Sequence, residues 1–407
     1  MQLVARGSQD KYISVEPEIT FFKAHHRRHT NFATESIEQT FNGTASAGGR
    51  VSATISRNGD LVHTMWLEVT SDMESQLATG LSLDGSNEIN LSTQGLGAGT
   101  YILRLDSDAT QYFEFTLTQV EPSVVIDGNA AWESNVGTFD TNLSGVVTGA
   151  FSLYVADAYN LIKQISVEIG GTRVDRQTGA FMKIAHDLST PTGKRANLDA
   201  CLGADAANKY LIPLSFWFCK DAGQALPLIA LQYHEVKVVV EFGSLAVQDA
   251  KLWVDYIYLD TEERKRFARS KHEYLIEQIQ TTGEETLSGS KKVRLNFNHP
   301  VKEIIWTAPS MTSAKLQLNG HDRFTERDAR YFKNLQQYQH HTAQSSDAFV
   351  YSFALEPEKL QPSGTCNFSR IDNATLNLEG ASTATVYACN YNVLRISNGM
   401  GGLAYSN

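Results

Sequence analysis

At 407 residues, 42% apolar and 20% charged, the chain is long enough for two or three domains that each bury a core, and too apolar for a disordered one. A formal net charge of −10, with the basic residues scattered, excludes a body built to coat nucleic acid by neutralising phosphates. Met1 to Lys11 lacks the apolar run of a signal peptide and no stretch reaches the about 18 apolar residues that span a bilayer, so folding in a cytosol is expected.

Period-2 segments bounded by turn residues divide the chain into two sets of eight predicted strands. The first set falls near 35–41, 50–56, 61–69, 162–169, 210–218, 227–234, 237–242 and 252–259. The second falls near 274–280, 292–298, 301–307, 314–318, 348–354, 364–370, 374–379 and 385–396. Helical periodicity is confined to Thr261–Lys271, Phe181–Asp187 and Glu326–Leu335.

The two sets repeat each other, and a repeat fixes architecture before any single strand does. Glu35-Ser36-Ile37-Glu38-Gln39 recurs as Tyr274-Leu275-Ile276-Glu277-Gln278. The alternation of Val51, Ala53 and Ile55 recurs as Val293, Leu295 and Phe297, and each run leads to a strand carrying Trp66 or Trp306, about 240 residues apart. Gly171–Arg176 then answers to Gly320–Arg327, which leaves about 91 extra residues in the first copy. Leu231–Val236 answers to Cys366–Ile371 and Leu252–Tyr256 to Val386–Asn390.

Eight short antiparallel strands in roughly 135 residues describe a two-sheet sandwich closed by two Greek keys. The expected fold class is therefore all-β: two consecutive eight-stranded jelly-roll sandwiches with a β-rich insertion in the first. The expected division is an N-terminal arm over 1–18, a first jelly roll over 19–262 with an inserted surface lobe at 72–149, a linker over 263–271, and a second jelly roll over 272–407. In the linker, Glu262, Glu263 and Glu273 offset Arg264, Lys265, Arg266, Arg269 and Lys271, which reads as a connector rather than a nucleic-acid helix. The insertion comes after the third strand, at the end expected to carry the turns Asn42–Gly49 and Cys219–Leu226.

Chemistry is sparse. His25-His26-Arg27-Arg28-His29 is the densest cluster of metal-ligand types, but two interleaved arginines oppose a cation, and Arg27 and Arg28 read better as donors pinning a neighbouring segment. His340-His341, with His321, has the same weakness. A double jelly roll also describes a two-domain cupin-like β enzyme or a carbohydrate-binding lectin. Cupins need a His-x-His pair, and this chain has none; Gly-x-Ser-x-Gly, His-Glu-x-x-His and phosphate-cradling glycine loops are also missing. Asp255 and Asp260, the residues a glycosidase would recruit, are assigned to structure. Cys201, Cys219, Cys366 and Cys389 show no C-x-x-C spacing and are expected as buried, inert thiols. No catalytic residue, metal ligand set or cofactor is expected. Asn90 and Asn142, each in an Asn-x-Ser sequon, are candidate glycan acceptors, against which cytosolic folding weighs.

Several long stretches carry a resemblance. They include Ile19-Thr20-Phe21-Phe22-Lys23, Arg28-His29-Thr30-Asn31-Phe32-Ala33, Glu168-Ile169-Gly170-Gly171, and Leu226-Pro227-Leu228-Ile229-Ala230-Leu231-Gln232-Tyr233-His234. Further along the chain come Leu259-Asp260-Thr261-Glu262-Glu263-Arg264 and Gln361-Pro362-Ser363-Gly364-Thr365-Cys366-Asn367-Phe368-Ser369-Arg370-Ile371, then the tail from Asn392. In these the chain resembles the major capsid proteins of the nucleocytoplasmic large DNA viruses, over all but about 72–149. The resemblance implies a homotrimer forming a pseudo-hexagonal capsomer that tiles an icosahedral shell around an internal membrane. It implies neighbouring capsomers and minor capsid proteins as partners, only indirect contact with the membrane, and none with nucleic acid. Assembly is then expected in the host cytoplasm, with the insertion facing outward, where host-surface glycans are its candidate ligands.

Overall fold

Alternation decides which side of each strand is buried. In Leu61–Thr70 the side chains of Met65, Leu67 and Val69 enter the core while Thr64, Trp66 and Glu68 are only partly covered, as for a sheet packed on one face. The computed structural model describes residues 7–71, 75–83, 88–91, 99–105, 108–117, 125–127, 133–134, 138–141, 143, 150–155, 157–203, 208–287 and 291–405.

In the first sandwich, one sheet runs Phe32–Gln39, Asp249–Leu259, Leu61–Thr70, Lys209–Pro213. Its partner runs Thr172–Thr178, Ile162–Ile169, Val236–Phe242, Arg50–Thr54. In the second, His272–Thr286, Thr383–Ser397, Pro300–Thr307, Phe349–Ser352 face Lys292–Arg294, Ala374–Glu379, Ser313–Leu318, His321–Asp322. Counted along the chain, each copy places its first, eighth, third and sixth strands in one antiparallel sheet and its second, seventh, fourth and fifth in the other. The protein is an all-β double jelly roll.

Four details differ from the sequence reading. The segments expected as strands at 227–234 and 364–370 pair only through Leu226–Pro227 and Cys366–Asn367, then enter the 3-10 turns Leu228–Ala230 and Phe368–Arg370. Pro227 lacks the N–H a ladder needs, and the Asn367 side chain accepts from Ser369 N, turning the backbone away from the sheet. The fifth strands instead lie at Thr172–Thr178 and at His321–Asp322 with Arg327–Asp328, sequences too polar to read as strands.

The repeat is also out of step locally. Leu226 pairs with Val62 and Cys366 with Val301, so Trp66 corresponds to Ile305, and Trp306 to Leu67. Trp306 is core and Trp66 faces out, because a one-residue slip moves a side chain to the other face. In the first strands Ile37 lies opposite Val254 and Gln280 opposite Ala388, which aligns Ile37 with Gln280 rather than Ile276.

The insertion does leave after the third strand and return before the fourth. Its sheet runs Thr138–Thr141, Asp108–Leu117, Gly99–Leu105, Phe151–Val155, Ser75–Leu81, so its last strand passes the expected end at 149. Leu103, Phe113, Ile126 and Phe151 give it a core of its own. The turns Asn42–Gly49 and 243–248 share its end of the sandwich, but Cys219–Leu226 does not. Lys209 starts its strand beside Thr70 and the strand runs away from the lobe, which carries the turn Cys219–Leu226 to the far end.

Helices are few. Thr178 caps Gly179–Ser189 by accepting from Phe181 N at 3.2 Å, and Gly179 is required there because a Cβ would lie 2.1 Å from Tyr159 O and 2.3 Å from Ile162 O. The expected helices at Thr261–Lys271 and Glu326–Leu335 are Thr261–Arg269 and a π turn, Tyr331–Leu335, leading into Gln336–His340; Thr192–Leu202 has too weak a pattern to read. In the linker helix Glu262 and Glu263 sit in the first turn and Arg266 and Arg269 in the last, the order the helix dipole favours. Arg264 Nε reaches Asp60 Oδ1 at 2.9 Å, which ties this connector to the first sandwich.

Candidate functional site: the seam between the sandwiches

The two jelly rolls meet along a wide seam in which apolar packing and buried charge both take part. Helix Gly179–Ser189 presents Phe181, Ile184 and Leu188 to the outward face of the second sandwich, at Ile305, Ala348, Val350, Tyr387 and Cys389. Phe181 and Tyr387 rings stand 5.3 Å apart, and Ala343 N donates to Leu188 O at 2.8 Å. The first sandwich's own core takes in Ile276, Leu394 and Ile396 of the second. Gly401 permits the close approach there, since a Cβ would fall 2.7 Å from Leu231 Cδ2.

Polar groups set the register. Buried Asp175 accepts from Ile279 N at 3.0 Å and from Gln177 Nε2 at 2.9 Å, while Gln278 Nε2 donates to Val174 O. Burial pushes the Asp175 carboxyl up, against the pull of those donors. Lys220 of the first sandwich reaches Glu277 of the second at 2.7 Å, and buried Lys302 contacts the same carboxylate from its other side. Burial alone would raise Glu277, but the two lysines outweigh it and hold it at about 2.

A second ionic chain stands behind the first. His341 Nε2 faces Glu303 Oε2 at 3.1 Å, an ionic approach without hydrogen-bond alignment, and Nδ1 lies 2.9 Å from Glu358 Oε1. Burial would lower this imidazole; the two carboxylates overcome it and raise it to about 9. Thr342 N also donates to Glu358, at 3.1 Å, so the charge fixes the loop after Gln336–His340.

The residues weighed in the sequence do not converge. His25, His26, Arg27, Arg28 and His29 lie exposed ahead of the first strand, and Arg27 and Arg28 have no partner among the described contacts. His340 meets Leu355 O at 3.0 Å, and His321 is exposed. Among the described residues no group of three or more His, Cys, Asp or Glu side chains is placed to hold a metal. Asp255 accepts from Thr64 Oγ1, and Asp260 caps the linker helix through Thr261 N at 2.5 Å. Cys389 is buried, Cys219 and Cys366 are partly covered, but Cys201 is exposed on helix Thr192–Leu202, against the expectation of four buried thiols. Asn90 is exposed at the end of the lobe strand Glu88–Asn90, and Asn142 lies outside the described residues.

One constellation was missed. Ser215 Oγ lies 2.9 Å from His186 Nε2, and Tyr159 OH 2.5 Å from Nδ1. Burial, with Lys220 and Arg195 nearby, holds His186 down to about 4, so the ring is neutral and ties the helix to the sandwich beneath. No spacing rule in the sequence links residues 159, 186 and 215.

Two sandwiches of one topology, joined by apolar packing along the seam and cross-braced by buried ions, define a double jelly-roll protein. Residues 20–90 and 140–260 match the family model for the major capsid protein N-terminus, and 263–314 and 307–402 that for the large eukaryotic DNA virus major capsid protein. The chain is 42% identical to the major capsid protein of Pyramimonas orientalis virus, over 100% of this chain and 99% of the relative. It is 35% identical to that of Paramecium bursaria Chlorella virus 1, with the same coverage. The solved structure of PBCV-1 VP54 matches with a TM-score of 0.68 at 30% identity, over 95% of this chain and 100% of that one. The Faustovirus major capsid protein shares the fold, with a TM-score of 0.64 at 12% identity over 96% of this chain and 94% of that one. The chain belongs to the major capsid proteins of the large eukaryotic DNA viruses.

Proposed function

We propose that three copies of the chain associate into a pseudo-hexagonal capsomer that tiles an icosahedral virion shell. The observation that carries this is the seam: each chain already holds two similar units side by side in a fixed relation, so three chains supply six. The role is structural, without turnover or cofactor. His341, one of the histidines weighed as a metal ligand, is already engaged by Glu303 and Glu358.

The capsomer's partners are neighbouring capsomers and minor capsid proteins, with the internal membrane touched only indirectly and no direct contact with nucleic acid. The N-terminal arm supports such partners, for Tyr12, Ile13, Phe21 and Phe22 are all exposed in the single chain. Folding and assembly take place in the host cytoplasm. The lobe between the third and fourth strands faces outward, where it covers the capsomer surface, with host-surface glycans the alternative reading; Asn90 and Asn142 are its candidate glycan acceptors.

Light scattering on the purified chain tests the reading. A particle of three times 45.0 kDa, free of stoichiometric transition metal, is expected. A monomer at micromolar concentration across several salt conditions, or one bound metal per chain, contradicts it.

A further inference from the structure

The seam within one chain is a template for the contact between chains. In the second sandwich the outward face at Ile305 and Tyr387 is covered by helix Gly179–Ser189, which lies between the fifth and sixth strands of the first. The corresponding positions on the first sandwich are Trp66 and Trp253. Trp253 pairs directly with Trp66, as Tyr387 pairs with Ile305. Both tryptophans are only partly covered, and Leu211, one strand further along the sheet, is 37% exposed. Two adjacent tryptophans on an open sheet face are the kind of anchor that protein interfaces concentrate on.

The covering element is also available. The second sandwich carries its own helical segment between fifth and sixth strands, Tyr331–His340, and no other part of the described chain covers its outer side. Phe332, Gln336 and Gln337 face inward, whereas Leu335 is 44% and Tyr338 85% exposed, three residues apart on one helical face. The stretch after the sixth strand repeats the pattern. In the first sandwich it sends Lys220 and Gln224 to Glu277 and Leu275 O; in the second it carries Leu355, 75% exposed, held beside His340.

Charge favours this pairing modestly. The helical segment is flanked by exposed Arg323, Arg327 and Arg330, the last paired with Asp328 at 3.1 Å and all three interleaved with exposed Asp322 and Glu326, while the tryptophan face carries Glu38, Glu68 and Asp255. Lys209 and Lys251 offset part of that acidity through Glu68 and Glu38. Because the two patches differ, the contact is heterologous and closes only as a ring.

We propose that the Leu335/Tyr338 face of one copy seats on the Trp66/Trp253 sheet face of the next, repeating between chains what helix Gly179–Ser189 does within one. This rests on the trimer proposed above and names its interface. The test uses the full chain carrying Cys201→Ser, alone, with Tyr338→Asp, with Tyr338→Phe, and with Lys251→Cys plus Gln339→Cys, two positions beside the anchors that leave Trp66, Trp253 and Tyr338 in place.

In light scattering, Tyr338→Asp should raise the concentration at which trimers form by more than about 100-fold, while Tyr338→Phe leaves it within about threefold. The double-cysteine variant, treated with a short bis-maleimide, should give covalent dimer and trimer that neither single variant gives. A trimeric background protein in which Tyr338→Asp stays trimeric and the cysteine pair gives no inter-chain product would overturn the assignment while leaving the trimer standing. A background protein that is itself monomeric would remove the trimer, and the interface with it. Residue 338 is exposed, so loss of assembly with an unchanged melting profile of the monomer counts for the interface and not for misfolding.

Discussion

Lys220 Nζ of the first sandwich lies 2.7 Å from Glu277 Oε2 of the second, and Lys302 holds the other oxygen of the same carboxylate. This three-membered chain joins the halves through a group whose pKa differs between folded and unfolded states. Glu277 sits at about 2 in the fold against 4.5 ordinarily, so its contribution is complete above pH 4.5 and is lost as pH falls toward 2. Replacing half-exposed Lys220 with Met leaves Lys302 in place and should cost about 1 kcal/mol at neutral pH, with the acid unfolding midpoint moved upward. Lys302→Met removes the buried partner and should cost more, about 3 kcal/mol. Chemical denaturation at pH 7 and pH 4 checks both; equal losses for the two variants would show that the lysines are not ordered in this way.

His341 gives the opposite sign. Its folded pKa is raised to about 9 from 6.5, so its stabilisation is complete below pH 6.5 and disappears as pH rises through 9. The effect is on the order of 3 kcal/mol. Melting curves between pH 6 and pH 10 should show a decline that His341→Gln flattens; a decline of the same slope in the variant would place its source elsewhere.

Gly179 stands where the fifth strand turns into the seam helix, with two carbonyl oxygens inside the space a Cβ needs. Gly179→Ala should destabilise by at least about 3 kcal/mol, because backbone must move and helix Gly179–Ser189 with it. Gly193→Ala, in open space on the exposed helix, should be neutral or slightly stabilising. Matched melting curves decide, and similar behaviour of the two variants would mean that the close approach at Gly179 carries no cost.

The lobe should be removable, because its core of Leu103, Phe113 and Phe151 is separate from that of the sandwich. Replacing 72–156 with a short Gly-Ser linker should leave the remaining protein folded, with a melting temperature within a few degrees of the full chain. Insoluble product would show that the lobe completes the first sandwich.

Much of the fold was legible because period-2 alternation in segments such as Val51, Ala53, Ile55 and Val293, Leu295, Phe297 directly encodes which face is buried. The failures have a common physical origin. Thr172–Thr178 is polar in sequence because Asp175 accepts from Ile279 N across the seam and Gln177 Nε2 donates to Ser215 O, tertiary contacts that no local pattern reveals. Trp66 and Trp306 look equivalent by type, yet one faces outward and the other the core, since face is set by strand pairing rather than by side-chain identity. The seam itself was invisible: Lys220, Glu277 and Lys302 are ordinary surface residue types until two sandwiches bring them together. The histidine pair that drew attention for its ligand chemistry instead sets His341 between Glu303 and Glu358, a position fixed by tertiary contacts alone.

Class averages of the negatively stained, purified chain test the central claim most directly, that one chain supplies two similar units and three chains close the ring. The account predicts particles with a six-sided outline and true threefold symmetry, three lobes rising from alternate corners. Isolated two-unit particles at micromolar concentration, or rings with a number of chains other than three, would contradict it.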